Sequence, residues 1–287
     1  MEGSSRYIII RGLSIHYRIA VPSGPVRHRV FLLSAPGFLT SSWQAILPEL
    51  TEAGCLCVLC DMPGFGKSQF SDEMPVEQSL RARYLWGVLD TVDLERDNKL
   101  SCWHLIAHGS ACGTIAAMAL QQPDSAGSLF MINPMLYSPV PRALDPVVRS
   151  KLFGAMLRRW IRRNIVPPRR FVRMLGRIYG RTPRKEQADL MRMPLLRLSG
   201  HEETVRRLLL EGFAIDTSAL SSLFMPCMIL WGGADRILGG AIPRRLRETD
   251  YPAAEYHLLA SAGHCAMETH SRAVRDFLRG WIREYWN

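Results

Sequence analysis

The chain has 287 residues, of which 47% are hydrophobic, and a formal net charge of +10. This length and composition argue against a disordered chain and suffice for one large domain, or for one domain with an insertion. No apolar run of about 18 residues occurs, and the first residues lack the apolar region and cleavage site of a secretory signal. We therefore expect a soluble, cytoplasmic protein.

The seven cysteines do not have the spacing of a zinc site. Cys55 and Cys57 lie on one face of a predicted strand that also includes Cys60, whereas zinc would need ligands that converge from a loop. Buried thiols in a reducing compartment are the better interpretation. No metal and no cofactor are expected.

Strand-like runs and amphipathic helices alternate through most of the chain. This pattern predicts an α/β protein with a mainly parallel twisted sheet and helices on both faces. An opening hairpin over RYIII and LSIHYRIA precedes the other predicted strands, which are RVFLLSA, CLCVLCD, SCWHLIA, SLFMINP, PCMILWG and EYHLLA. Helices are predicted at about 42–53, 78–93 and 113–122, and a last one over AVRDFLRGWIREYW closes the chain.

The alternation stops after Asn133. Residues 138–215 contain no convincing strand and have the pattern of short, basic, amphipathic helices separated by prolines. The sequence thus predicts a core in two parts, 1–137 and 216–287, which is interrupted by a helical cap at 138–215.

Five motifs occur in the order LLSAPGF, DMPGFGKS, the strand, turn and helix around Ser110, WGGADR and SAGHCAME. Together they resemble the α/β-hydrolase superfamily, in the branch whose members carry a helical cap, from about residue 6 to 286. The resemblance implies the α/β-hydrolase fold, with the cap where that family places its lid. DMPGFGKS is a structural turn in that family and lacks the spacing of a phosphate-binding loop, so no nucleotide is expected.

The chemistry of such a site can be argued from the residues. A serine nucleophile needs an imidazole to accept its proton and a carboxylate to orient that imidazole. Asp235 and His264 each follow a predicted strand, and the carboxyl ends of parallel strands are where an open α/β sheet assembles its site. With Ser110 they reproduce the chain order serine, acid, histidine. We predict Ser110, Asp235 and His264 as catalytic residues.

The turn that carries the nucleophile allows two registers. With Ser110 at its apex, the residues two positions away are His108 and Cys112, although the G-x-S-x-G elbow calls for small residues there. With Gly109 at the apex, both flanking residues are alanines, which fit better, but the elbow then has no nucleophile.

Two observations favour Ser110. Gly113 and Ala116 then fall where the family pattern S-x-G-G-x-x-A has small residues, and plausible acid and histidine partners are retained. Cys112 is a weaker candidate nucleophile, and His108 is interpreted as a packed strand-end histidine rather than a second base.

An oxyanion hole needs two N–H donors. The resemblance assigns one to Ala111, the residue after the nucleophile. In the family, the second donor follows an HG dipeptide, which this chain lacks. Counting back from Trp43 places this donor at Pro36, which has no N–H. Aligning PGF with HGF places it at Phe38 instead. We predict Phe38 and Ala111 as the donors.

The positive charge is concentrated in the cap, since residues 140–215 contain 18 arginines and lysines against 6 aspartates and glutamates. The arginines predicted to contact a partner are Arg162, Arg163, Arg169 and Arg170. The apolar cap residues predicted to form a hydrophobic wall for an acyl or aryl group are Leu152, Phe153, Met156, Leu157, Trp160, Phe171 and Met174.

Three explanations of this charge remain open. Carrier-dependent esterases and thioesterases of the superfamily meet an acidic acyl carrier protein with basic lid residues, which favours such a partner. An anionic membrane surface would attract a basic amphipathic helix that contains Trp and Phe, and a solvated face of an enzyme for a small acidic substrate is the third. Nucleic acid is not expected, because no reading element is present.

The predicted function is a serine hydrolase that cleaves an ester or thioester through an acyl-enzyme, on a carrier-bound acyl or polyketide chain. The same triad serves C–C bond hydrolases and polyketide cyclases, which remain alternatives. The displaced elbow and the missing HG dipeptide also leave open a noncatalytic binding or accessory protein.

Overall fold

The computed structural model describes residues 5–96, 100–180, 182–198 and 200–286. Its centre is an eight-stranded sheet. The strands are β1 (Ser5–Ile10), β2 (Leu13–Ala20), β3 (His28–Ser34), β4 (Cys55–Asp61), β5 (Trp103–His108), β6 (Ala126–Ile132), β7 (Cys227–Gly232) and β8 (Glu255–Leu259).

The strand order in the sheet is β1-β2-β4-β3-β5-β6-β7-β8. β1 pairs antiparallel with β2, and β2 pairs antiparallel with β4. All further pairs, from β4–β3 to β7–β8, are parallel. Every residue of β4 and β5 is buried, as parallel strands covered on both faces require. The predicted α/β-hydrolase fold with a mostly parallel sheet is confirmed.

Helices cover both faces of the sheet. Those that connect or follow the core strands are α1 (Leu47–Glu52), α2 (Gln78–Arg96), α3 (Ala111–Gln121), α9 (Ala241–Arg245), α10 (Ala266–Thr269) and α11 (Ser271–Tyr285). Short 3-10 turns lie at Thr40–Trp43, Pro123–Ser125, Arg142–Leu144 and Thr217–Ser222, and a π turn at Leu246–Asp250.

A group of helices lies between β6 and β7. They are α4 (Asp145–Arg149), α5 (Lys151–Asn164), α6 (Pro168–Tyr179), α7 (Lys185–Leu198) and α8 (Glu202–Glu211). α6 starts with Pro168 in its first turn and ends at Gly180, whose φ of 67° forms a left-handed C-cap. It buries Phe171, Leu175 and Tyr179, which are four residues apart and so share one face.

The cysteines are free, and all are buried except the half-buried Cys102. In the described ranges, no group of three or more His, Cys, Asp or Glu side chains could hold a metal ion. No helix of the same ranges has the length and apolar character needed to cross a bilayer.

Candidate active site

The turn between β5 and α3 has Gly109, not Ser110, at its apex. Gly109 has a φ of +60°, in the left-handed region where a side chain causes strain. Ser110 has helical angles, φ −69° and ψ −18°, and is the N-cap residue of α3. The apex is fixed to the end of β6, because the Gly109 N–H donates to the Ile132 carbonyl (2.9 Å) and the Met135 N–H to the Gly109 carbonyl (3.0 Å).

The imidazole of His264 faces this apex. A Cβ added to Gly109 would lie 3.3 Å from His264 Nε2 and 3.5 Å from the Ala35 Cβ. The prediction that Ser110 presents its hydroxyl to His264 therefore needs correction: the position facing the imidazole belongs to a glycine. Among the hydrogen bonds of the described residues, none joins Ser110 Oγ to His264. The reason is steric. With Gly109 at the apex, the residues two positions away are Ala107 and Ala111, which are small enough for the close approach of strand and helix.

Asp235 and His264, which the sequence predicted as partners, lie together. His264 Nδ1 is 2.8 Å from Asp235 Oδ2, with side-chain exposures of 6% and 1%. Asp235 Oδ1 accepts the N–H groups of Ile237 (2.7 Å) and Leu238 (3.2 Å). The carboxylate thus holds the proton on Nδ1, and the lone pair of Nε2 faces Gly109.

Two buried side chains hold the backbone of His264. His108 Nε2 donates to the His264 carbonyl (3.0 Å), and Asn133 Nδ2 donates to the same carbonyl (2.9 Å) and to that of Gly263 (3.0 Å). Asn133 Oδ1 accepts the N–H of Gly232 (2.6 Å). Desolvation, with a smaller effect of His264, lowers the pKa of His108 well below its usual value, so this ring is neutral.

Asn133 was not identified from the sequence as a site residue. In the sequence, the one signal for Asn133 is its position at the end of a buried strand, directly before a proline. Its role depends on the tertiary arrangement, because its amide links the ends of β6 and β7 to the loop that carries His264.

The predicted oxyanion donors need correction. The Phe38 N–H donates to the Ala35 carbonyl (2.9 Å) across a turn in which Gly37 has a φ of +89°, so it is already occupied. With Gly109 at the apex, the residue after the apex is Ser110 rather than Ala111. Both residues open α3, where no preceding helical carbonyl can accept their N–H groups. The Ser110 N–H therefore replaces that of Ala111 as the candidate donor.

Helix α6 of the cap covers the site. The Phe38 ring packs edge-on against His108 with centroids 4.8 Å apart, and its centroid lies 6.4 Å from that of Tyr179. Tyr179 donates to Glu268 Oε1 (2.9 Å), and burial raises its pKa, so its hydroxyl keeps the proton. His264 is only 5% exposed.

The remaining predicted residues lie away from this geometry. Phe171 is fully buried, and Trp160 is exposed. The four arginines Arg162, Arg163, Arg169 and Arg170 are exposed. Leu152 and Met156 are also exposed, so they and Trp160 do not form the predicted hydrophobic wall.

Cys112 is not an alternative nucleophile. Its thiol is buried and donates to the Ile132 carbonyl (3.8 Å). Desolvation raises its pKa well above the usual range, so it stays protonated and unreactive.

A mostly parallel eight-stranded sheet with helices on both faces and a histidine–carboxylate pair beyond its strands defines a protein of the α/β-hydrolase fold. A family model described as "Alpha/beta hydrolase family" matches residues 30–277. The chain belongs to that family.

The chain is similar to several hydrolases. A 2-hydroxy-6-oxononadienedioate/2-hydroxy-6-oxononatrienedioate hydrolase from Cupriavidus pinatubonensis is 27% identical and aligns over 96% of both chains. A meta-cleavage product hydrolase from Pseudomonas fluorescens IP01 superposes with a TM-score of 0.74 at 15% identity, covering 97% of each chain. A membrane phospholipase A superposes with a TM-score of 0.78 at 18% identity, over 99% of this chain and 87% of its own. These structural likenesses show the fold alone, and the predicted carrier-protein branch is not confirmed.

Proposed function

We propose that the protein is a C–C bond hydrolase that activates water with the His264–Asp235 pair and forms no acyl-enzyme. The substrate class is a keto acid that is cleaved beside its ketone, as the names of the meta-cleavage hydrolases suggest for those relatives. An ester or thioester hydrolase with a serine acyl-enzyme is the less supported alternative, because the apex residue carries no hydroxyl.

The observation that carries this proposal is the direction of His264 Nε2, which faces the side-chain position of a glycine. A water molecule beside Gly109 would give a proton to Nε2 as its oxygen adds to the ketone carbon. Asp235 stabilises the imidazolium that forms. When the C–C bond breaks, the departing carbon takes a proton back from His264, and the net reaction adds one water across the bond.

The Ser110 N–H is the donor placed to stabilise the oxyanion. One such donor contributes on the order of 3 kcal/mol to lowering a barrier. The burial of the histidine–carboxylate pair, whose side chains are 6% and 1% exposed, supports the same mechanism, because electrostatic effects are stronger away from bulk water.

Two substitutions test the proposal directly. In turnover of a 2-hydroxy-6-oxodienoate, His264→Gln is expected to lose at least about a thousandfold in kcat. Ser110→Ala, the matched control on the neighbouring element, is expected to stay within about threefold, since only its N–H is used. Product formed in ¹⁸O-water should carry one label in the new carboxylate.

Fluorophosphonate labelling separates the two mechanisms. The wild-type protein is expected to remain unlabelled, whereas Gly109→Ser, which places a hydroxyl next to Nε2, should gain labelling. Labelling of wild-type Ser110, or loss of turnover in Ser110→Ala, would support the serine acyl-enzyme mechanism and reject the proposal.

A second candidate is a noncatalytic binding or accessory protein. The occupied Phe38 N–H supports it, because this leaves the site with one oxyanion donor in place of two. Absence of turnover on keto acids, esters and thioesters alike, in a folded protein whose Gly109→Ser variant is labelled, would favour this function.

A further inference from the structure

Helix α5 has two adjacent rows of apolar side chains, which lie about 100° apart around the helix. In one row Ile161 is buried, and Phe153 and Leu157 are half-buried. Leu152, Met156 and Trp160 are 71%, 61% and 49% exposed, and their spacing of four residues places them in one row on the outer face. Single exposed apolar residues are normal, but a contiguous row on one helix marks an interaction surface.

Arginines accompany this row. At about 100° per residue, Arg163 falls within this row and Arg159 at its edge, while Arg162 lies next to Arg159 on the side away from the row. All three are exposed, and no salt bridge within the described ranges involves any of them. Arg158, on the side toward α8, is instead paired with Glu202.

Helix α6 extends the positive surface. It contacts α5 and exposes Arg169, Arg173 and Arg177 at intervals of four residues, hence in one row. The sequence has no aspartate or glutamate between Asp145 and Glu186. Nothing within this segment neutralises the charge, so an anionic partner would relieve its self-repulsion.

We infer that the outer face of α5, together with the arginine row of α6, docks on an anionic lipid bilayer. The three apolar side chains enter the boundary between headgroups and acyl chains, and the arginines between and beside them bind lipid phosphates. Trp160 suits this position, because its ring is apolar and its N–H can remain at the headgroup level.

The form of the apolar surface favours lipid over a protein partner. The exposed apolar side chains stand in single file along one helix, whereas a specific protein interface needs a shape-complementary surface of about 800 Å² on each partner. A bilayer accepts such side chains without a preformed complement. This inference does not depend on the proposed reaction.

Vesicle binding tests the inference. The full chain is expected to sediment with vesicles of phosphatidylcholine and phosphatidylglycerol in equal parts, to bind pure phosphatidylcholine at least tenfold more weakly, and to be released by high salt. Trp160 is the exposed tryptophan, and the other six are buried. Brominated lipids should therefore quench its fluorescence, and Trp160→Phe should abolish that quenching.

Two triple variants separate the contributions of the row and of the arginines. Leu152→Ser with Met156→Ser and Trp160→Ser, and Arg159→Gln with Arg162→Gln and Arg163→Gln, are each expected to weaken vesicle binding at least about tenfold. The matched controls alter exposed residues elsewhere. They are Ile9→Ser with Leu94→Ser and Phe224→Ser, and Arg83→Gln with Arg244→Gln and Arg247→Gln.

The controls are expected to bind vesicles like the wild-type protein. No binding to the anionic vesicles, or equal losses in variants and controls, would overturn the inference. It would also be overturned if an acidic acyl carrier protein bound the wild-type chain, but not the α5 arginine variant, while vesicles bound neither.

Discussion

The molecule contains two histidine–aspartate pairs with the same contact but different surroundings. Between β2 and the last residue of β4, His16 Nδ1 lies 2.8 Å from Asp61 Oδ2, and both side chains are 1% exposed. At the carboxyl ends of the central strands, His264 Nδ1 lies 2.8 Å from Asp235 Oδ2. His16 Nε2 is buried without a hydrogen-bond partner among the described residues, whereas His264 Nε2 faces Gly109.

The hydrogen bonds of the two carboxylates also differ. Asp61 accepts the N–H groups of Thr40 (2.9 Å) and Lys67 (3.0 Å), from two separate loops. Apart from His264, Asp235 accepts among the described residues only from Ile237 and Leu238, which lie in its own turn. A histidine–carboxylate contact is therefore not by itself a sign of catalysis. The surroundings of Nε2, the ring nitrogen that does not contact the carboxylate, determine whether the pair can take part in catalysis.

The largest expected effect is a loss of activity when the His264–Asp235 pair is altered. Asp235→Asn should lower kcat/KM by about 10⁴-fold, because the amide no longer stabilises the imidazolium. Its Oδ1 can still accept the N–H groups of Ile237 and Leu238, so the thermal melting curve should change little. Full activity in this variant would mean that His264 works without the carboxylate.

The reciprocal substitution should act on stability. Asp61→Asn is expected to lower the free energy of unfolding by about 3–5 kcal/mol, since it breaks a buried pair that joins β2 to two loops. Urea unfolding measures this change, and kcat per folded molecule should remain near the wild-type value. A stable Asp61→Asn variant with no activity would show that the first pair is also catalytic.

A smaller effect is expected at Asn133, which positions His264. Asn133→Asp keeps the acceptor for the Gly232 N–H but loses both donors to the His264 loop. We expect kcat to fall about 10- to 100-fold, by misplacement of the imidazole, with KM nearly unchanged. Ser128→Ala, at a buried polar residue of β6, the strand that Asn133 follows, is the control. Equal loss in both variants would indicate a general effect on folding.

Two other buried histidines should make the stability of the fold depend on pH. Desolvation, aided by the nearby charges of His28 and Arg29, lowers the pKa of His104 to about 3. Desolvation and then His264 lower that of His108. Below about pH 6.5 the unfolded chain protonates these rings and the folded chain does not, so acid favours unfolding.

The free energy of unfolding should therefore fall by about 1.4 kcal/mol per pH unit between about pH 6 and 4 because of His104, and His108 should make the fall steeper. Chemical denaturation at several pH values measures this slope. His104→Gln should reduce the slope by one proton, while His108 maintains the rest. An unchanged slope would mean that His104 is solvated in the folded protein.

The sheet and the positions of Asp235 and His264 could be predicted from the sequence, because buried apolar runs and the motif order are local patterns. The apex could not be assigned correctly from the same patterns. Alanines on both sides of Gly109 gave the true steric signal, but the small residues in α3 favoured Ser110. The helix predicted at 42–53 is also divided into a 3-10 turn, Thr40–Trp43, and α1.

Other features of the site depend on tertiary contacts that have no local signature. The Phe38 N–H is occupied only because the Pro36–Gly37 turn closes onto Ala35. On α5, two apolar rows have the same helical spacing, so periodicity alone could not tell which one faces the interior. The structure places the Phe153 row inside and the Trp160 row outside.

The glycine at position 109 also has a consequence for conformational strain. The nucleophile elbow of this fold forces one residue to a positive φ, which costs a residue with a side chain on the order of 1–2 kcal/mol. This chain adopts the sharp bend without that penalty. A hydroxymethyl group at position 109 would place a nucleophile beside the His264 imidazole, but it would also lower the free energy of unfolding. Resistance to denaturation and covalent reactivity therefore compete at this one Cα.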